Sequence, residues 1–342
     1  MTRAMNSEKG SPFLRFLKKS AGFILAGLFL LWVFHDIDFH RLFENIGIMK
    51  WAWIATAIGL DFLGYVCRGI RWQALLQPVG PISLSRVTEA VYAGLFLNEV
   101  LPMRAGEVAR AYLVSRWLQA GIVRIVPSMV TERLLEGIWL AVAIGVITIF
   151  VPLPKDLAEA GDVLGIIVLA ATGLFVFFAL RPPRPAASGP SGRPARPGIW
   201  GRLQSLIGSL GRGFREIGLK TPVLVAFVFS LLYYVCQAFS FWFLMVAYHL
   251  HLTFWVGAAV FIIVYFGTML PNAPANVGAF QFFCVVGLTL FGVDKTTATG
   301  FSIISFLLLT IPMIIFGFWA FGHTGLSLAT LRQNVRSLDL RS

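Results

Sequence analysis

Charge is scarce in this chain of 342 residues: 13% are Asp, Glu, Lys or Arg, while 57% are hydrophobic. At a mean hydropathy of +0.79, too few polar groups are present to cover a water-facing surface, which excludes a soluble domain and leaves a polytopic membrane protein. Cysteine is equally sparse. Cys67, Cys236 and Cys284 lie inside apolar runs without metal-ligand spacing and read as small core or lipid-facing side chains. Of the histidines, His35 and His40 fall near an interface and His249 and His251 in one loop, so no pair shares an apolar helix face with carboxylates. There is no Gly-rich phosphate loop, no nucleophile elbow and no soluble block large enough for a transferase site. No metal, cofactor or catalytic residue is therefore expected, and the chain reads as a non-enzyme.

Acidic residues are the rarer sign, 16 against 28 Lys and Arg, for a formal net charge of +12. Basic cytoplasmic loops and anionic lipid headgroups account for that excess in a membrane protein. No nucleic-acid partner is expected.

What is present is a series of apolar runs whose flanking charges set a topology. A basic leader (Arg3, Lys9, Arg15, Lys18, Lys19) precedes the run 21–34, which lacks a cleavage site and reads as a retained first span with a cytoplasmic N-terminus. The second span starts at Trp51 and Trp53, carries Asp61 and closes near Cys67, with Arg68 and Arg71 on the cytoplasmic side. Runs 125–151, 163–180, 221–249 and 298–321 complete six spans, and the tail 323–342 returns to the cytoplasm. Counting crossings leaves two segments, about 88–124 and 254–293, that start and finish on one side. Each reads as a re-entrant helical hairpin, the first from the cytoplasm and the second from outside.

The halves 1–180 and 219–322 then repeat one motif in opposite orientations: span, hairpin, span. Inverted repeats with broken segments meeting near the midplane are an architecture of alternating-access transporters. Between the halves, 181–199 is a basic Pro/Gly-rich stretch expected to be a disordered cytoplasmic linker. Residues 200–218 have apolar positions at helical spacing and read as an amphipathic helix on the anionic inner leaflet.

The hairpin tips hold the candidate ligands. Asn98, Glu99, Arg104, Glu107 and Arg110 surround the first break at Pro102 and Gly106, and Glu132, Arg133 and Glu136 follow one turn apart in the next span. A helix starting after Pro102 aims free N–H groups at the tip and favours an anion such as a phosphate headgroup. The same residues also suit structural ion pairs holding the hairpin. The second tip offers Asn272, Asn276 and Gln281, with Pro271, Pro274 and Gly278 shaping the turn. Asp61, alone in its span, is a candidate for proton coupling.

The run NEVLPMRAGEVARAYLV from Asn98, the TERLLE of 131–136 and LPNAPANVGAFQ from Leu270 resemble the lysylphosphatidylglycerol synthase transmembrane-region, or flippase-like, family. By that resemblance Asn98, Pro102, Gly106, Glu107, Arg110, Glu132, Arg133, Pro271, Pro274 and Gly278 carry the family's motifs. Gln281 stands where many relatives place a glutamate. The resemblance implies movement of a phospholipid, an aminoacyl-phospholipid or a polyprenyl-phosphate-linked lipid between leaflets of a bacterial inner membrane. Membrane lipids are the expected partners, with a homodimer or a lipid-modifying enzyme as further ones. The family's synthase members add a large soluble aminoacyl-transfer domain, while this chain ends soon after its last span, so synthase activity is not expected. The competing reading is a non-transporting scaffold or accessory subunit of a lipid- or glycolipid-modifying enzyme, docked through the basic linker; a membrane-embedded transferase is the third.

Overall fold

The computed structural model describes residues 24, 26–35, 49–101, 105–151, 155–180, 218, 221–269 and 274–325, and every regular element among them is helical. In chain order these are α1 (26–34), α2 (Trp51–Leu76), α3 (Leu84–Val100), α4 (Ala105–Trp117), α5 (Ile122–Phe150) and α6 (Lys155–Leu180). The second half holds α7 (Thr221–Ala247), α8 (Phe254–Met269), α9 (Ala279–Leu290) and α10 (Lys295–His323). Among the described residues, α2, α5, α7 and α10 are each long and apolar enough to cross a bilayer. The chain is an all-α polytopic membrane protein. The basic leader, the linker 181–199, the interfacial helix except Gly218, the tail beyond Gly325, and Pro102, Arg104, Pro271 and Asn272 lie outside the described residues.

The second span does not close near Cys67. Helix α2 continues to Leu76 and carries Arg68 and Arg71 inward, 9% and 0% exposed. Burial at that depth is tolerable only where opposite charge meets the guanidinium groups, and glutamates from two other helices do so.

Both expected hairpins form as pairs of packed helices, α3 with α4 and α8 with α9. Their legs are 17, 13, 16 and 12 residues long. At a rise of 1.5 Å per residue even the longest reaches only about 26 Å, short of a hydrocarbon core of roughly 30 Å. In the first hairpin, Gly94 and Gly106 let the two backbones touch: a Cβ on Gly106 would lie 1.8 Å from the Gly94 carbonyl oxygen. The Asn98 side-chain oxygen accepts from the Gly106 N–H at 2.8 Å and closes the break. In the second, Gly267 packs against the Phe283 ring, and the turn at Pro274–Asn276 holds Ala275 and Asn276 at φ of 59° and 53°. That turn packs against α3, so the tip of one hairpin meets a leg of the other.

The two halves show the same neighbours. The contacts α2–α3, α3–α4, α4–α5, α2–α5, α3–α10 and α2–α10 have the counterparts α7–α8, α8–α9, α9–α10, α7–α10, α8–α5 and α7–α5. The relation maps α2 onto α7, and these two pack along their whole length in antiparallel register. The Lys50 N–H donates to the Ala247 carbonyl (3.2 Å), the Ser240 hydroxyl to the Ala57 carbonyl (2.8 Å), and the Arg71 guanidinium lies 5.7 Å from the Tyr233 ring centroid. Equivalent helices that run antiparallel belong to repeats of opposite orientation.

Gly106→Ala is expected to force the hairpin legs apart, because backbone rather than a side chain blocks the new methyl; overpacking typically costs about 1–3 kcal/mol, and a backbone clash belongs at the upper end. Gly59→Ala, with open space around it, is the matched control. A thermal-denaturation series in detergent checks the pair: Gly106→Ala should melt well below wild type and Gly59→Ala should not.

Candidate functional site

Three helices converge on one buried ionic network. Helix α2 supplies Arg68 and Arg71, α4 supplies Glu107 and Arg110, and α5 supplies Glu132, Arg133 and Glu136. The pairs Arg68/Arg71, Glu107/Arg110, Glu132/Glu136 and Arg133/Glu136 are each three or four residues apart, which puts the members of each pair on one helix face.

Each of the four arginines bridges two of the three glutamates. Arg71 Nη2 lies 2.5 Å from Glu132 and 2.7 Å from Glu136, and Arg110 Nη2 lies 2.7 Å from Glu107 and 2.8 Å from Glu132. Arg68 reaches Glu132 at 3.4 Å and Glu107 at 3.8 Å. Arg133 pairs with Glu136 at 2.5 Å and with Glu107. Among the described residues, four positive charges against three negative ones leave a formal +1. The arginines also pack on aromatic faces: the Arg110 guanidinium lies 4.6 Å from the Trp72 ring centroid, and Trp72 itself donates to the Ser128 hydroxyl at 3.1 Å.

Two further features mark the network. Arg71 Nε and Nη1 and Arg110 Nε are buried without a hydrogen-bond acceptor, so the donors exceed what the glutamates satisfy. Exposure is also graded across the network. The side chains of Glu132 and Glu136 are at most 1% exposed, whereas Glu107 is 21% and Arg133 36% exposed. Arg133 and Glu107 form the rim, and the excess positive charge lies behind them.

The expected site residues separate into groups. Glu107, Arg110, Glu132, Arg133 and Glu136 come together in the network. Asn98 and Gly106 build the hairpin turn instead. Glu99 makes no ion pair among the described residues, and its Oε2 is buried without a partner. Asp61 is buried on α2 beside Gln237 of α7, two turns from Arg68. In the second hairpin Pro274 and Asn276 form the turn, Gly278 takes φ 85° against the backbone of Ala26, and the side-chain oxygen of Gln281 accepts from the Gly278 N–H at 2.8 Å. That oxygen caps its own helix, a local role that a ligand does not share. Arg104, Pro102, Pro271 and Asn272 lie outside the described residues.

Arg68 and Arg71 are the network members that the sequence reading placed outside it. No count of charges points to them, since the return leg and the next span already hold Arg110, Arg116, Arg124 and Arg133 for the glutamates at 107, 132 and 136; only the i, i+3 spacing of Arg68 and Arg71, which puts both on one helix face, was available as a signal.

Because each glutamate meets at least two arginines, removing the most buried one exposes the imbalance most sharply. Glu132→Gln leaves Arg71 and Arg110 short of countercharge in an apolar interior, a loss of about 3–5 kcal/mol. Glu107→Gln at the rim is expected to cost much less, since solvent screens it. Melting temperatures of the two purified variants test the order; equal losses would contradict it.

The family model for the lysylphosphatidylglycerol synthase TM region matches residues 20–317, a stretch that includes α2 to α5, both hairpins and every member of the network. No curated protein matches the chain. With the match covering most of its length, the chain belongs to the lysylphosphatidylglycerol synthase TM region family.

Proposed function

We propose that this protein moves an anionic lipid, a phospholipid, aminoacyl-phospholipid or polyprenyl-phosphate-linked lipid, between leaflets, with its termini in the cytoplasm. The observation that carries this reading is the buried network with one more arginine than glutamate and an accessible rim at Arg133. An unbalanced, buried positive charge is costly and is retained where a negative group comes to meet it.

A headgroup phosphate approaching the rim competes with Glu107 for Arg133 and Arg110. Guanidinium groups suit that exchange, since they hold carboxylate and phosphate in the same two-pronged geometry. The lipid tails stay in the hydrocarbon. The antiparallel α2–α7 contact gives the two repeats a shared axis about which to rock, exposing the network to one leaflet and then the other. A membrane potential of 100 mV acts on one moving charge with about 2.3 kcal/mol, enough to bias the direction of an anionic headgroup without nucleotide hydrolysis.

Arg133→Gln is the decisive variant, because Glu107 keeps Arg68 and Arg110 and Glu136 keeps Arg71 after the substitution. In proteoliposomes with a fluorescent anionic lipid, the folded variant should move lipid roughly tenfold or more slowly than wild type, the effect of one charged hydrogen bond worth about 1.5–3 kcal/mol. A wild-type rate in the folded variant would overturn the reading.

A further inference from the structure

Adjoining the network, α5, α7 and α8 enclose a groove of about 350 Å³, within the roughly 300–1,000 Å³ range of small-molecule sites. Trp139, Ala143 and Ile147 line it from α5, Ala238 from α7, and Trp255 and Ala258 from α8. No polar atom faces into it. Two polar handles on its walls are turned away into hydrogen bonds: Trp139 Nε1 donates to the Phe227 carbonyl at 3.0 Å, and the Tyr234 hydroxyl donates to the Glu136 carbonyl at 3.2 Å.

The second of those bonds joins the groove to the network. Glu136 pairs with Arg71 and Arg133, while Tyr234 both binds the Glu136 backbone and lines the groove. The face of α5 that carries Glu136 continues through Trp139 and Ala143 to Ile147, roughly 16 Å further along the axis at 1.5 Å per residue. Small residues, Ala143, Ala238 and Ala258, leave a channel along that face. Its side is open, with Val142 and Val235 45% and 39% exposed.

We infer that this groove seats one hydrocarbon tail of an anionic lipid whose phosphate sits at the Arg133 rim. The inference rests on the network binding the headgroup, and it fixes on which flank of the molecule the lipid lies: between α5 and α8, one of the contacts that cross from one repeat to the other. A dry, carbon-lined channel joined through Tyr234 and the Glu136 backbone to a network with surplus positive charge matches an amphiphile with a negative head. A tail leaving bulk lipid for such a channel gains packing but little hydrophobic free energy. Occupancy therefore depends on the head, and the groove discriminates between lipids through the charge of the adjoining network.

Trp255 reports on this directly, since it lines the groove and stacks on Phe150 with ring centroids 4.0 Å apart. The full-length protein is reconstituted with chain-brominated lipids carrying either an anionic phosphoglycerol or a zwitterionic phosphocholine head, and the Trp255 signal is obtained by difference from Trp255→Phe. Anionic brominated lipid should quench Trp255 severalfold more effectively than zwitterionic lipid. Arg133→Gln should abolish that preference, and Val142→Phe with Val235→Phe, both at open positions, should lower quenching by both lipids. Equal quenching by the two headgroups, or a preference that survives Arg133→Gln, means ordinary boundary lipid and overturns the groove. A headgroup preference lost in Arg133→Gln supports the groove whether or not the protein transports lipid. Slowed transport in Arg133→Gln without any preference at Trp255 removes the groove alone.

Discussion

Seven ionised groups held inside a membrane protein impose the main constraint on this fold. At 4 Å and an effective dielectric of about 20, one ion pair is worth about 4 kcal/mol, while removing each ion from water costs several kcal/mol. The network therefore specifies more than it stabilises. Arg68 and Arg71 cannot stay on α2 unless α4 and α5 bring Glu107, Glu132 and Glu136 to them, and those glutamates cannot stay without the arginines. Shifting α2, α4 or α5 by one turn would strand charge in the interior. Register among three helices follows from charge compensation, and the partly exposed Arg133 is where the compensation remains open to the surroundings.

The remaining architecture lets the backbone approach that centre. Gly94 and Gly106 bring the legs of the first hairpin into contact, and Gly317 does the same where α10 meets Tyr92 and Phe96 of α3. The second hairpin uses a neutral device, in which Gly278 at positive φ and the Gln281 cap start α9 tightly against α1. One half thus carries charge and the other carries shape, although their helices have matching neighbours. An inverted repeat of this kind is symmetric in packing and asymmetric in chemistry.

Much of this was legible in the sequence. The helical class, the boundaries of α7 and α8 and the two hairpins follow from apolar runs broken at Leu-Pro, because in a bilayer hydropathy dominates the choice of element. The return leg with Glu107 and Arg110, and Glu132, Arg133 and Glu136 beyond it, were recognisable as one set because charge at membrane depth is rare. Less accessible was the partner across space. Arg68 and Arg71 follow an apolar run as cytoplasmic anchors usually do, and only contact with glutamates some sixty positions away makes them interior residues. The roles of Asn98 and Gln281 were equally hidden, since an amide that caps a turn and one that waits for a ligand have the same letters. Both turned inward, to Gly106 and Gly278.

The central claim is that the hairpins belong to oppositely oriented repeats, so that their tips approach one shared region from the two faces of the membrane. The most direct measurement replaces the buried Cys67, Cys236 and Cys284 and places single cysteines at Leu101 and Ala275, beside the two breaks. A membrane-impermeant thiol reagent is then applied to oriented vesicles from each side. Leu101→Cys should label from one face only and Ala275→Cys from the opposite face only. Labelling of both from the same face would contradict the inverted arrangement and the shared pathway built on it.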